Sequence, residues 1–336
     1  MDTPAISFSP NEPNAIALIT TFRCNAACPN CCYGCRPDRG RTMTLEEMKH
    51  YVDVCLAAYP NSIRRLSLTG GECFLLGSDM DEIVKYGQER GLTSITILSN
   101  GYWGRDYKTA YKRISKLKEY GLTSIGFTVG SDHQSIMPLK NSRNAIVASA
   151  RAGYRVSVRI ETKYGRSPIY DELSKDTAFM RLVNVDKISL EFWGWNDYNN
   201  ETLHVKRYPS RRRPMKEGPC NLLFREIQIT PYGDILACGG IGAMRNPYMR
   251  VGNINAEPIK DIYERSFEDA LKVWIHQNGA SDVLQYVYDN SNIRCYDYDD
   301  GCGNCIEIFT NPKILPFLRD HYEDWIKKLK YAYVER

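Results

Sequence analysis

Apolar segments typical of buried strands alternate with amphipathic helical segments over the first 200 residues of this 336-residue chain. Three of the helical segments end at a glycine, namely Gly91, Gly121 and Gly153, as expected where a left-handed residue closes a helix. About six such strand and helix units follow one another, which predicts an α/β fold with a parallel sheet. Six units are too few for a closed eight-unit barrel.

Composition is typical of a globular protein that keeps its cysteines reduced. The chain is 43% hydrophobic, enough for a sizeable core, and its net charge of +4 is too small to imply a nucleic-acid partner. It has no run of roughly 18 apolar residues and no basic signal-like N-terminus, so we expect neither a membrane span nor a secretory signal. Its 12 cysteines lie in spaced groups, which predicts metal binding in a reducing compartment, by default the cytoplasm.

Three cysteines follow the first predicted strand in one short loop: Cys24, Cys28 and Cys31. The apolar run before them indicates a strand, so the cysteines occupy the turn at its carboxyl end. Three thiolates in one loop can share a soft metal centre, and they leave a four-iron cluster one ligand short. The alternative is a zinc site, which needs a fourth ligand such as Cys32 or Cys35.

Polar residues follow the later strands at their carboxyl ends. They are Gly70-Gly71-Glu72, Ser99-Asn100, Asp132, and the fifth-strand pair Arg159 and Glu161. Residues without Cβ let backbone carbonyls approach a ligand, and the Glu72 carboxylate can accept from an ammonium group. The alternatives are an ordinary turn at the two glycines and an ion pair between Arg159 and Glu161. We expect all these residues to share one edge of the sheet with the cysteines.

A second group of cysteines lies after a basic, proline-containing stretch. Cys220 precedes a predicted hairpin and Cys238 ends it, with a turn at Tyr232-Gly233-Asp234. Cys302 and Cys305 follow much later with two residues between them. Four thiolates satisfy either a four-iron cluster or a zinc knuckle.

The cysteine loop and the sequence Leu68-Thr69-Gly70-Gly71-Glu72 resemble those of radical S-adenosylmethionine (SAM) enzymes. The resemblance implies an open, partial (β/α)6 TIM-type barrel with a [4Fe-4S] cluster whose open iron is chelated by SAM. One electron, from a flavodoxin- or ferredoxin-type donor, then cleaves SAM to methionine and a 5'-deoxyadenosyl radical that takes a hydrogen atom from the substrate. It also implies that SAM is bound by Gly70, Gly71, Glu72, Ser99, Asn100, Asp132 and Arg159.

The second group of cysteines resembles the twitch domain, a shortened SPASM domain. This implies a small α+β domain with an auxiliary [4Fe-4S] cluster held by Cys220, Cys238, Cys302 and Cys305. We therefore predict an N-terminal segment over 1–14, a barrel over 15–200, a basic linker over 201–219, the twitch domain over 220–310 and a C-terminal helix over 311–336.

A more specific resemblance is to the epipeptide epimerases, which modify ribosomally made peptides. It is carried by Ser99-Asn100-Gly101-Tyr102-Trp103-Gly104, the Tyr232-Gly233-Asp234 turn and the late Cys-Gly-x-Cys. In that group a second cysteine directly follows the hairpin ligand and returns a hydrogen atom to the substrate radical, whereas this chain has Gly239 there. We therefore expect net oxidation or a cross-link, unless Cys73 or Cys295 supplies the hydrogen. Cys295 is otherwise a substitute cluster ligand or a buried thiol, and the same choices apply to Cys73.

Three functions remain open from the sequence. The first is modification of a ribosomal peptide. Because few residues precede Cys24, we expect such a peptide to bind through the barrel mouth, the basic linker or a separate leader-binding protein. The second is dehydrogenation of a small polyol or amino sugar, with the auxiliary cluster taking up the second electron. The third is a non-catalytic zinc or iron-sulfur protein.

Overall fold

The structure is a computed structural model that describes residues 12–29, 31–162, 166–194, 218–295 and 301–334. The chain divides into two compact units. The barrel unit comprises residues 14–203 and 229–232, and the C-terminal unit comprises residues 1–13, 204–228 and 233–336. All but the last two residues of the predicted basic linker over 201–219 lie outside the described residues.

Six parallel strands form the sheet of the barrel unit, as predicted. They are β1 Ala15–Thr21, β2 Arg65–Gly70, β3 Ser94–Ser99, β4 Ser124–Val129, β5 Arg155–Thr162 and β6 Ile188–Gly194. The strands neighbour one another in the order β6-β5-β4-β3-β2-β1, and each neighbouring pair is parallel. Every residue of β1 is buried, as is usual for a strand covered on both faces. All six carboxyl ends therefore point to the same edge of the sheet.

Helices follow each of the first five strands. They are α1 Leu45–Ala58, α2 Ser78–Glu89, α3 Tyr107–Glu119, α4 Ser131–Gln134, α5 Leu139–Arg151, α6 Pro168–Leu173 and α7 Thr177–Asn184. The predicted capping box of α1 is confirmed: the Thr44 hydroxyl accepts from the Glu47 backbone N–H, and the Glu47 carboxylate accepts from that of Thr44. Cys55, predicted to be a core residue of this helix, is fully buried.

One predicted helix, from Asp171 to Leu182, is in fact two helices. The break lies at Asp176, whose carboxylate accepts from the Phe179 backbone N–H at 2.8 Å and so caps α7. The same carboxylate forms a two-pronged ion pair with Arg143 of α5. Periodicity alone predicts one helix because the apolar positions continue across the break, whereas the cap is a polar interaction with a distant partner.

The C-terminal unit contains three strands and six helices among its described residues. They are β7 Leu223–Ile229, β8 Asp234–Cys238, β9 Arg250–Asn253, α8 Ile259–Arg265, α9 Ala270–Asn278, α10 Ala280–Asn290, α11 Gly301–Thr310, α12 Ile314–Asp320 and α13 Tyr322–Val334. The predicted strands flanking the Tyr232-Gly233-Asp234 turn are confirmed as β7 and β8. The strand β8 lies between β7 and β9, and it runs antiparallel to β9.

Two expectations for this unit are wrong. The apolar positions Ile259, Ile262, Phe267, Leu271 and Trp274 predict one helix. That helix is interrupted before α9, where the Asp269 carboxylate accepts from the backbone N–H groups of Leu271 and Lys272. The tyrosine- and aspartate-rich sequence before Cys302 predicts a polar connection, but it contains α10, which buries Val283 and Val287. No helix among the described residues is long and apolar enough to cross a membrane.

Candidate metal centres

The loop after β1 places Cys24, Cys28 and Cys31 at the carboxyl edge of the sheet. Backbone hydrogen bonds fold the loop back on itself, from the Cys31 N–H to the Cys28 carbonyl at 3.2 Å and from the Gly34 N–H to the Cys31 carbonyl at 2.9 Å. The loop base is closed by the Cys24 N–H, which donates to the Arg36 carbonyl at 3.2 Å. The cysteine loop, residues 22–41, is thus held by its own backbone at both ends.

Electrostatic coupling shows that the three thiols lie near one another. Burial raises the pKa of both Cys24 and Cys28 to about 12, and the charge of Cys31 adds to the rise at each. The Cys35 thiol instead donates to the Cys31 sulfur and lowers the pKa of Cys31 to about 6. Metal binding must therefore displace protons from Cys24 and Cys28.

The chemistry of this donor set can be compared with two kinds of metal group. Three thiolates would leave one iron of a [4Fe-4S] cluster open, because a closed cubane takes four, and a closed zinc site would need a fourth ligand such as Cys32 or Cys35. Among the described residues, no three cysteine, histidine or acidic side chains are grouped so as to hold one metal ion.

The glycine pair after β2 makes room for the cysteine loop. A Cβ at Gly71 would lie 1.8 Å from the Arg23 carbonyl oxygen, and one at Gly70 would lie 2.5 Å from that of Thr21. The Gly71 N–H donates to the Thr21 carbonyl at 2.7 Å. Sequence reasoning assigned these glycines to close approach by a ligand; in the structure the close approach is by the backbone that carries Cys24.

Glu72 ties the ends of β2 and β3 together. Its carboxylate is fully buried and accepts from the Phe74 backbone N–H at 3.1 Å, the Ser99 hydroxyl at 2.9 Å and the Asn100 backbone N–H at 2.8 Å. Burial raises the pKa of Glu72 to about 7, although these hydrogen bonds oppose the rise. A carboxylate has about four acceptor positions, so one remains for a further donor.

Asn100 joins this network to the cysteine loop. Its side-chain amide donates to the Asn25 side-chain oxygen at 2.9 Å and lies 3.7 Å from the Cys24 sulfur. The structure thus brings together Cys24, Glu72 and Asn100, which come from the ends of β1, β2 and β3.

Asp132 and Glu161 lie on the other side of the cysteine loop, at the ends of β4 and β5. The Asp132 backbone N–H donates to the Glu161 carboxylate at 3.4 Å. Burial is the largest cause of the raised pKa of Cys28, and the charges of the neighbouring cysteines are the next largest. The charges of both carboxylates add to this rise. Asp132 is therefore near the predicted cluster, as expected for a residue at this edge.

Arg159 has a different partner from the expected one. Its guanidinium lies 3.4 Å from the Glu191 carboxylate and 5.0 Å from the centre of the Trp193 ring, both on β6. The parallel register places Arg159 beside Glu191, whereas Glu161 is two residues further along the same strand. The suggested ion pair of Arg159 with Glu161 is thus replaced by one across strands.

Cys73 is fully buried directly after Glu72. Its sulfur lies 3.7 Å from the Thr20 hydroxyl, and burial raises the pKa of its thiol well above the usual range. The charges of Glu72 and Cys24 add to this rise. Its suggested part as a hydrogen donor stays a prediction.

Sequence reasoning missed a cavity of about 700 Å³ next to the cysteine loop. It is lined by Asn25, Leu75, Tyr102, Arg105, Ile136, Met137, Pro138 and Asn141. The Ser-Asn-Gly-Tyr-Trp-Gly motif was a signal for it, because Tyr102 belongs to that motif. The other motif aromatic, Trp103, stacks on Phe74 with 4.4 Å between ring centres and donates to the Ser99 hydroxyl at 3.1 Å.

The second set of cysteines converges within the C-terminal unit. Cys302 and Cys305 lie in the first turn of α11, and a Cβ at Gly240 would lie 3.1 Å from the Cys302 sulfur and 3.6 Å from that of Cys238. Burial raises the pKa of Cys238 to about 12, and the charges of Cys302 and Cys220 add to it. Desolvation of its sulfur raises the pKa of the half-buried Cys305, and the charges of Cys238, Cys302 and Cys220 add to the rise. The four thiols, which come from three segments, are thus close enough for their charges to influence one another.

Two further residues bear on this site. A Cβ at Gly239 would lie 1.8 Å from a carboxylate oxygen of Glu226, so Glu226 of β7 fills the space of a side chain at that position. Cys295 lies apart from this space: its sulfur is 3.7 Å from the Ile293 carbonyl, and burial, helped by the Glu307 charge, raises the pKa of Cys295 to about 12. The predicted parts for Cys295, as ligand or hydrogen donor, stay predictions.

Residues 18–159 match the family model described as the radical SAM superfamily. The match covers β1 to most of β5, including the cysteine loop and the strand ends described above. Residues 18–159 are therefore similar to the radical SAM superfamily, in agreement with the resemblance of the motifs.

A solved structure with a TM-score above 0.5 supports the fold. The native anSMEcpe with bound AdoMet aligns with a TM-score of 0.54 and 14% identity over 92% of this chain and 100% of that chain. BtrN in complex with AdoMet and 2-DOIA aligns with a TM-score of 0.48 and 16% identity, covering 87% of this chain and 98% of that one. SuiB of Streptococcus suis, bound to S-adenosylmethionine, aligns with a TM-score of 0.46 and 12% identity, covering 87% of this chain and 75% of that one. A search of the curated proteins finds no match.

Proposed function

We propose that this chain is a radical SAM enzyme that binds SAM at a [4Fe-4S] cluster held by Cys24, Cys28 and Cys31. The observation that carries the proposal is the convergence of these thiols with Glu72 and Asn100 at the carboxyl edge of a six-stranded parallel sheet. When bound, SAM and the cluster supply a 5'-deoxyadenosyl radical for hydrogen abstraction.

The surrounding residues hold and orient the cofactor. The remaining acceptor position of Glu72 suits the methionyl ammonium, because a charge-assisted hydrogen bond is strong in a site closed to water. Ser99 and Asn100 hold that carboxylate in place with hydrogen bonds of 2.9 and 2.8 Å. Asp132 lies on the opposite side of the loop, where we assign it to the ribose end of SAM.

For the substrate radical we propose net oxidation. Gly239 supplies no thiol, and the Glu226 carboxylate occupies the space in question. An auxiliary [4Fe-4S] cluster on Cys220, Cys238, Cys302 and Cys305 would accept the second electron. The motif resemblance favours a ribosomally made peptide as the substrate, bound with the help of a separate leader-binding protein.

The second candidate is a dehydrogenase of a small polyol or amino sugar. The lack of a thiol at Gly239 favours a dehydrogenase as much as a peptide-oxidising enzyme, because a dehydrogenase also needs an electron acceptor and no hydrogen donor. The two candidates differ in the substrate and share the same radical chemistry.

Anaerobic reconstitution with iron, sulfide, dithionite and SAM tests the first step. We expect 5'-deoxyadenosine from the wild type. If no 5'-deoxyadenosine is formed, the chain is a non-catalytic metal protein.

Reaction in deuterium oxide with the peptide of a neighbouring short reading frame, or with an amino sugar, tests the second step. A product lighter by two hydrogens, without carbon-bound deuterium, supports oxidation. An unchanged formula with one carbon-bound deuterium, lost in Cys73→Ala or Cys295→Ala, would restore epimerisation.

A further inference from the structure

The cavity beside the cysteine loop reaches close to the predicted cluster. Asn25 lines this cavity, and its side-chain oxygen lies 3.9 Å from the Cys24 sulfur. A molecule in this cavity that contacts Asn25 is therefore separated from the sulfur of a proposed cluster ligand by that one side chain.

The rim of the cavity exposes large apolar side chains. Leu75 and Ile136 both line it, and each is 44% exposed. Tyr111, on the neighbouring helix α3, is 41% exposed. Exposed apolar groups gathered at one place, with polar groups around them, are typical of a protein interaction surface.

Basic side chains extend this surface along α3. Arg105 lines the cavity just before the helix, and Lys108 and Lys112 follow on the exposed side of α3. Lys108, Tyr111 and Lys112 are spaced so that they share one helix face, opposite the buried Ala110 and Ile114. We call Arg105, Lys108, Tyr111 and Lys112 the α3 face.

The positive charge of the α3 face is not neutralised within the described part of the protein. Two other basic residues of this helix, Arg113 and Lys116, form ion pairs with Asp81. Among the described side chains, no ion pair involves Arg105, Lys108 or Lys112. The acidic residue between them, Asp106, is engaged as the helix cap, where it accepts from the Thr109 N–H at 2.8 Å.

We propose that an acidic one-electron carrier protein docks on the α3 face and the adjoining cavity to reduce the cluster of the cysteine loop. This inference rests on the proposed function, since only a redox enzyme of that kind needs such a carrier. One electron passes from the reduced carrier to the cluster, so the carrier is oxidised by one electron for each SAM cleaved.

Charge and position both favour this occupant. Electron transfer slows steeply with distance, so the carrier must dock where a cluster ligand lies near the surface, and Cys24 is reached through Asn25. An exposed cationic face attracts an acidic partner and raises its association rate by roughly 10- to 1,000-fold, an effect that salt weakens. The apolar rim then supplies area for a short-lived complex.

The test compares two double variants with equal charge changes. Lys108→Glu/Lys112→Glu reverses the α3 face. Arg155→Glu/Lys187→Glu reverses two exposed bases at the amino ends of β5 and β6, the opposite edge of the sheet. Each reconstituted protein is mixed with a reduced flavodoxin, and cluster bleaching is followed by stopped-flow absorbance at low and high salt. Binding of oxidised flavodoxin is measured by calorimetry.

We expect the α3 variant to be reduced by flavodoxin roughly tenfold or more slowly at low salt, with a weaker salt dependence and weaker binding. The control variant should behave as the wild type. Dithionite-driven deoxyadenosine formation should be equal in all three proteins and reports the proposed function alone. Equal flavodoxin rates and affinities in both variants would overturn the inference. A dithionite rate that also falls in the α3 variant would overturn it too, and would assign the face to substrate or SAM binding.

Discussion

In the barrel unit the three proposed cluster ligands lie in one loop, whereas in the C-terminal unit the four come from three separate segments. Cys24, Cys28 and Cys31 are placed by backbone hydrogen bonds within the loop and by the glycines of β2. Cys220, Cys238 and the α11 pair meet only because β8 and α11 pack around Gly240.

The difference also concerns how complete each set is. In the proposed function, three thiolates would leave one iron of a cubane open, beside Glu72 and Asn100, which we assign to SAM binding. Four thiolates would close the proposed second cluster, and a closed cluster is suited to electron transfer. A local loop thus suits a site that must stay open, and a closed site can be assembled from distant segments.

The largest expected effect comes from removing each set of cysteines in turn. Two reconstituted cubanes give about 8 irons per chain, and Cys24→Ala/Cys28→Ala/Cys31→Ala should leave about 4 irons and no SAM cleavage. Cys238→Ala/Cys305→Ala should also leave about 4 irons but still form deoxyadenosine. Iron analysis and product chromatography check this. Deoxyadenosine from the triple variant would refute the assignment of the open site.

A second comparison concerns the glycines of the two regions. Gly71→Ala drives a methyl group into the Arg23 backbone, so we expect the free energy of unfolding to fall by about 3 kcal/mol, the upper end for overpacking. Gly239→Ala meets only the flexible Glu226 carboxylate, and a loss of about 1 kcal/mol is expected. Urea unfolding of both variants measures the difference. Equal losses would show that the glycine pair of β2 is not needed to seat the cysteine loop.

The third prediction concerns pH and Glu72. Its pKa rises from the usual 4.5 to about 7 on folding, so between these values the folded protein holds a proton that the unfolded chain has lost. By linkage, the free energy of unfolding should fall as the pH rises from about 4.5 to about 7, by at most about 3 kcal/mol. It should not change through this group at higher pH.

Urea unfolding of the metal-free protein across this pH range measures the slope. Glu72→Gln removes the titrating group and should remove its share of the slope. Glu191→Gln, which alters a half-exposed carboxylate on β6, is the matched control and should leave the slope in place. A slope that survives in Glu72→Gln would assign the effect to other groups.

The smallest effect is expected at Arg159. Because its ion pair with Glu191 is about two-fifths exposed on both side chains, Arg159→Ala should change the free energy of unfolding by less than about 1 kcal/mol. SAM affinity of the reconstituted variant then tests the part that the motif resemblance implies. A fall of roughly tenfold, about 1.4 kcal/mol, would support a SAM contact, and an unchanged value would leave Arg159 as a strand-pairing residue.

The sequence alone predicted the parallel sheet, the position of the cysteine loop and the resemblance to a superfamily that the family model also matches over residues 18–159. Strands and amphipathic helices have periods of two and 3.6 residues that can be read locally, and the α1 capping box lies within four residues. The three cysteines lie within eight residues, so their meeting needs no long-range information.

Tertiary structure decided what depends on partners distant in the chain. The Glu191 partner of Arg159 follows from strand register, and the contact of Gly71 with Arg23 follows from the packing of one strand end on another. The cavity was hidden for the same reason: residues from several loops line it, and no local pattern records which loops become neighbours. The breaks at Asp176 and Asp269 and the α3 face are different, because their residues are close in the chain. There the continuing apolar period masked the local caps, and whether the charge of the α3 face is paired depends on which acidic side chains the fold brings near it.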